Sequence, residues 1–109
     1  MPLPAHLSND PMIPLVKQAL AARYGDRLRG ILLYGSRARG DFGPESDYDI
    51  VVLLNDLADP FEEIFAPGPL RLRIQEQTDE VVSIKPASPG LLDTRTGFTH
   101  ELRKDGIWL

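Results

Sequence analysis

Apolar residues recur at helical spacing early in the chain: Ile13, Val16, Leu20 and Tyr24, closed by Gly25. This period predicts an amphipathic helix that lays its stripe on a sheet. Asn9 or Asp10 can cap it, and Pro11 suits the first helical position, where a missing N–H costs nothing. Residues 1–10, with Pro2 and Pro4, read as a loose, flexible arm that carries His6. The period then changes. Leu28 to Tyr34 is a short apolar run closed by Gly35, which predicts a buried strand. Ser36 to Gly40 follows as a tight strand-to-helix turn or a single helical turn. Beyond the turn-forming stretch Asp41 to Ser46, a second strand covers about Tyr48 to Leu54. Past Asp49 both of its faces are apolar, Ile50, Val52 and Leu54 on one and Val51 and Leu53 on the other, as in a central strand covered on both sides.

Asp59 to Phe65 reads as a short helix with Asp59 as cap and Pro60 in its first position, broken by Pro67-Gly68-Pro69. Leu70 to Thr78 fits two periods. Leu70, Leu72 and Ile74 alternate as in a strand, while Leu70 and Ile74 alone fit a helix. Val81 to Ile84 predicts a third core strand, stopped by Pro86. A last helix of about Leu92 to Lys104 carries Phe98 and Leu102, with His100 on its surface. Arg103 and Lys104 favour its C-terminal dipole, and Gly106 can end it. Ile107-Trp108-Leu109 either folds back onto the core or forms a contact surface for a partner. The expected fold class is α/β (α+β), a mixed sheet of three or more strands with flanking helices, in one domain over residues 11–109.

At 109 residues, 42% hydrophobic and 26% charged, the composition is ordinary for a globular domain and names no function. With no cysteine there is no disulfide framework, thiol nucleophile or Cys-based zinc site. A net charge of −4 argues against nucleic acid as a direct stable partner. No apolar run is long enough to span a bilayer, and the N-terminus lacks the features of a signal peptide. The expectation is a cytoplasmic protein with no membrane partner.

The chemistry concentrates in Gly35-Ser36-Arg37-Ala38-Arg39-Gly40 and Ser46-Asp47-Tyr48-Asp49. Side chains alternate along a strand, so Asp47 and Asp49 project to one side, roughly 6–7 Å apart along the backbone. Two carboxylates that close repel unless a cation or shared proton lies between them. Oxygen ligands of this kind suit Mg²⁺, which completes its shell with water and substrate phosphate. Just upstream, Gly35 lets a ligand approach the backbone, Ser36 offers a hydroxyl and an amide, and Arg37 and Arg39 add positive charge suited to phosphate. Two familiar phosphate motifs are excluded. A P-loop needs Lys where Asp41 stands, and a dinucleotide fingerprint needs Gly where Arg37 stands.

Gly35-Ser36-Arg37-Ala38-Arg39-Gly40-Asp41, five residues and Asp47-Tyr48-Asp49 resemble the signature of the polymerase β-like nucleotidyltransferase superfamily. Within it they resemble the small prokaryotic minimal nucleotidyltransferase (MNT) proteins. The order of elements over roughly residues 11–88 agrees, and Leu102-Arg103-Lys104-Asp105-Gly106-Ile107 is similar to the tail of such domains. The resemblance assigns Gly35 and Ser36 to the triphosphate and Asp47 and Asp49 to the metals, Mg²⁺ with two ions expected. It implies ATP or another nucleoside triphosphate as substrate, with AMP passed to a protein hydroxyl. The implied partner is a helical HEPN-domain toxin, with this chain as antitoxin; a homo-oligomer stays open. The family usually carries a third carboxylate on the next core strand. Here that strand reads Val81-Val82-Ser83-Ile84, and Glu80 is the nearest replacement, ahead of Asp79.

These residues support two functions of different kinds. One is Mg²⁺-dependent nucleotidyl transfer through a solvent-facing cleft where the Gly35–Gly40 turn meets Asp47 and Asp49. The alternative, motivated by the incomplete acid set, is a catalytically silent module that neutralises its partner by binding. Transfer to a small molecule such as an aminoglycoside fits a short chain less well.

Overall fold

The computed structural model describes residues 3–57 and 67–109. The helix expected over Asp59–Phe65 lies outside the described residues. Helix α1 spans Ala5–Ser8 and α2 spans Met12–Tyr24. Strand β1 (Leu28–Tyr34) leads into a single helical turn, α3 (Ser36–Arg39), and then to β2 (Tyr48–Leu54). Helix α4 (Gly68–Thr78), strand β3 (Val82–Ala87), helix α5 (Gly97–Asp105) and strand β4 (Ile107–Trp108) follow. The strands form one mixed sheet in the order β3-β2-β1-β4. β1 pairs antiparallel with β2 and β4, and β2 pairs parallel with β3.

The two faces of β2 separate the core into two layers. Ile50, Val52 and Leu54 join Ile31, Leu33, Val82 and Ile84 under α2 and α4. Val51 and Leu53 pack on the opposite face with Leu32, Tyr34 and Leu102. On α2, Ile13, Val16, Leu20 and Tyr24 are the buried stripe that the period indicates, joined by Met12. Asp10 accepts the Met12 N–H through Oδ1 at 2.9 Å, and its Oδ2 accepts the Tyr48 hydroxyl at 2.6 Å. One carboxylate therefore ends the helix and ties it to the first residue of β2. Burial and this bond push the Tyr48 phenol above its ordinary range, opposed by the charge of Arg37.

Three expectations need correction, and one open choice is settled. The arm is packed from residue 3 onward: α1 buries Leu7, which is 1% exposed. A segment this short, opened by Pro2 and Pro4, carries too few apolar positions to establish a period, so its burial was invisible locally. The stretch Leu70–Thr78 is helical, with Leu70 and Ile74 buried and Leu72 62% exposed. A strand would have put all three on one side. β3 does not stop at Pro86 but runs through it to Ala87. It is an edge strand, and one side of an edge strand bonds no neighbour, so a missing N–H is tolerated there. The last helix begins at Gly97 rather than near Leu92. Thr96 and Thr99 cap it reciprocally, each hydroxyl accepting the other's backbone N–H at 3.1 and 3.0 Å, while Pro89–Asp93 forms a separate 3₁₀ turn.

The C-terminal segment folds back as β4 beside β1, with Leu109 N–H donating to Ile31 O at 2.9 Å. A Cβ at Gly106 would collide with the Leu102 carbonyl, so a side chain there would block the step from α5 into β4. Trp108 lies across Gly30 yet remains 54% exposed. Among the described residues no helix is long and apolar enough to cross a membrane.

The burial of Leu7 is directly testable. Leu7→Ala should lower unfolding free energy by about 2–4 kcal/mol, the usual range for emptying a core site. Urea denaturation checks it. A loose arm predicts a change within about 0.5 kcal/mol.

Candidate functional site

The site is built by strand pairing. In the β1–β2 ladder Tyr34 stands opposite Asp49, so the next residue, Gly35, leaves the sheet directly beside the Asp49 side chain. Gly35 has φ 77°, and a Cβ there would lie 2.5 Å from Asp49 Oδ2. Both the left-handed backbone and the carboxylate exclude any side chain. The Gly35 carbonyl then accepts the Ala38 and Arg39 amides at 3.1 Å each, closing the single turn of α3. Ser36 is half-buried at its start, where backbone N–H groups have no partner inside the helix.

Asp47 and Asp49 flank Tyr48, which is buried on the other side of the sheet. Asp47 is exposed and Asp49 half-buried. Burial first, and the Asp47 charge second, hold the Asp49 carboxyl above the usual carboxylate range. Lys85 and Arg39 pull it back toward ionisation. A divalent cation between the acids would relieve the same repulsion. Among the described residues no group of three or more His, Cys, Asp or Glu is placed to hold a metal. The donors are two carboxylates that share a side, next to a glycine whose backbone carries no side chain. That set fits Mg²⁺, which takes one or two carboxylates and leaves its other positions to water and phosphate.

The two arginines of the turn part company. Arg37, expected at phosphate, is 6% exposed and points inward. Its Nε and Nη2 donate to the Ser46 carbonyl at 3.1 and 3.0 Å, and Nη2 meets Glu80 Oε2 at 3.3 Å. The guanidinium lies 4.3 Å from the Phe42 ring centroid and 4.5 Å from that of Tyr48. It clasps the turn to the residue before Asp47 and has no face left for a nucleotide. Arg39 is exposed, 3.1 Å from Asp41 and 3.8 Å from Asp105. Surface pairs of this kind exchange readily. Gly35, Ser36 and Arg39 thus remain as the candidates for facing a phosphate.

Glu80 does not complete the acid set. It binds Arg37, which stacks on Tyr48, so it lies on the side of the sheet away from Asp47 and Asp49. In the parallel β2–β3 ladder the residue opposite Asp49 is Ser83. The place beside the acids holds a hydroxyl, and Lys85 follows on the same face.

Supporting contacts came from positions that carry no motif. His6 Nε2 donates to the Arg37 carbonyl at 2.9 Å, and its ring lies against Gly40. The first helix of the arm thereby braces the Gly35–Gly40 turn. No local signal announces a contact across 31 residues. Lys85 and Ser83 could have been found by alternation once the β2–β3 register was known. Tyr34 packs edge-on against Phe98, centroids 5.4 Å apart, and His100 is a surface helix residue as expected.

This architecture is shared with known proteins. The family model described as the nucleotidyltransferase domain matches residues 13–105. A relative from Methanocaldococcus jannaschii, provisionally named a protein adenylyltransferase, is 49% identical over 35 residues, 32% of this chain. The matched part is 35% of that relative's length. A solved toxin–antitoxin structure with AMP-PNP has a TM-score of 0.61 at 22% identity, covering 90% of this chain and 71% of its own. A variant of the toxin–antitoxin MntA–HpeT gives 0.59 at 24%, covering 90% and 70%. A crystal structure from Shewanella oneidensis gives 0.57 at 20%, covering 93% and 71%. At these identities the likeness is one of fold. Because the family match runs through most of the sequence, strand pairing and acid pair included, the chain belongs to the nucleotidyltransferase domain family.

Proposed function

We propose that this chain transfers a nucleoside monophosphate, AMP from ATP, to a hydroxyl of another protein, and that the acceptor is a helical HEPN-type toxin for which it serves as antitoxin. The observation that carries the proposal is the contact between Gly35 and the Asp49 carboxylate. It sets the Gly35 turn directly against Asp49, one acid of the pair. The Gly35 backbone and Ser36 hydroxyl hold the β- and γ-phosphates, with Arg39 at the rim. Asp47 and Asp49 would hold Mg²⁺, which would supply charge stabilisation at the phosphate. The acceptor oxygen forms a bond to the α-phosphorus as the bond to the bridging oxygen breaks. Pyrophosphate leaves, and the hydroxyl proton passes to solvent. An exposed Asp47 suits an acceptor brought by a second protein. The toxin–antitoxin neighbours, one solved with AMP-PNP, and the name of the archaeal relative support this choice.

A second reading rests on Ser83. With a hydroxyl opposite Asp49, the chain acts as a silent module that covers its partner without modifying it.

Intact-mass measurement of the partner after mixing with Mg-ATP separates the two. Transfer predicts one added adenylyl group, lost by roughly a hundredfold or more in Asp47→Ala, since removing a metal ligand should cost at least as much as removing its supporting contacts. The silent module predicts no added mass and full neutralisation by Asp47→Ala. Transfer that persists in the doubly substituted Asp47/Asp49 chain would remove the enzymatic proposal.

The two arginines supply a second check. Arg37→Met should lower stability by about 1–3 kcal/mol by leaving the Ser46 carbonyl and Glu80 without their donor. Arg39→Ala should leave the thermal midpoint unchanged and weaken binding of an ATP analogue. Calorimetry on both variants reads the two effects; the opposite assignment would show that Arg37 contacts phosphate after all.

A further inference from the structure

Two neighbouring rungs cross the face of the sheet that carries the acids. On one, Tyr34, Asp49 and Ser83 stand side by side; on the next, Leu32, Val51 and Lys85. Lys85 is therefore the diagonal neighbour of Asp49, a separation that a four-carbon stem spans. Its ammonium is held over two rings, 5.7 Å from the Tyr34 centroid and 5.1 Å from that of Phe98. Those rings are fixed edge to face against each other. Among the described residues Lys85 forms no ion pair within 4.0 Å, and the strand register sets it on the same face as Asp49. A positive charge thus stands on the acid face, where Ser83 offers an uncharged oxygen.

We infer that Lys85 supplies the second positive charge of this site, so that Asp47 and Asp49 hold one divalent cation beside an ammonium rather than two cations. The inference rests on the nucleotide-binding reading of the site. Two metal ions about 4 Å apart need carboxylates enough to offset their repulsion. Here two acids face one lysine, and the register position beside Asp49 adds no charge. A single ion shared with the triphosphate is well accommodated, whereas a second would sit against Lys85. Lys85 is exposed to solvent, and the Tyr34 and Phe98 rings beneath its ammonium bias it toward the acid face. Lys85 is a positioning residue: it acts on the reaction through the metal and phosphate charge.

The test counts metal. The chain is titrated with Mn²⁺ in the presence of AMP-PNP, with free Mn²⁺ followed by electron paramagnetic resonance and bound nucleotide measured in parallel. The wild-type chain should bind one Mn²⁺ per bound AMP-PNP, and Lys85→Arg should match it. Lys85→Met should tighten that ion roughly threefold or more by removing a repelling charge. Lys85→Glu should raise the ratio to two. Circular dichroism verifies that each variant keeps the fold. Two ions per nucleotide in the wild type, or Mn²⁺ affinity indifferent to Lys85→Met and Lys85→Glu, would overturn the role of Lys85 and leave the site reading standing. A wild-type chain that binds neither AMP-PNP nor Mn²⁺ would overturn both.

Discussion

The pairing of Tyr34 with Asp49 governs the site. It ends β1 beside an acid of β2, so the chain must turn at Gly35 with the carboxylate already in the space a side chain would occupy. The Arg37 clasp on the Ser46 carbonyl then closes the intervening loop and presents Asp47 just beyond it. Two further ties come from the N-terminal segment: His6 to the turn, Asp10 to Tyr48. The acids are thus held from three directions by groups that do no chemistry themselves. Rigid support of this kind allows a small, open site to keep its geometry.

Charge follows the same layout. Asp49 is only half-exposed and repelled by Asp47, so its surroundings favour whatever brings positive charge between them. Arg39 stands at the rim, Lys85 stands on the neighbouring strand, and Arg37 is withdrawn into the structure. Cations at different depths have different uses. The buried one fixes the backbone, while the exposed ones remain available to an anionic ligand.

What could be read from the sequence was what depends on near neighbours. Alternation placed Asp47 and Asp49 together, period identified the α2 stripe, and the glycine-serine spacing marked the turn. Both faces of β2 followed from five residues. The errors came from contacts made at long range. Arg37 and Arg39 are equivalent locally, and only the position of Ser46, Phe42 and Tyr48 decides which one is buried. Glu80 looked close to the acids in sequence, but the register of two strands far apart along the chain sets Ser83 beside Asp49. Pro86 read as a stop because edge and central strands are indistinguishable before the strand order is known. Leu7, in a segment with no periodicity, gave no hint that the core would enclose it.

The whole account depends on one pocket shared by the Gly35 turn and the acid pair. Paramagnetic broadening of backbone amide signals by Mn²⁺ with AMP-PNP tests this without relying on turnover. Signals of Gly35, Ser36, Asp47, Asp49 and Ser83 should fade first and together. Broadening centred instead on the groove between α2 and α4, near Ala19 and Ile74, would contradict the account.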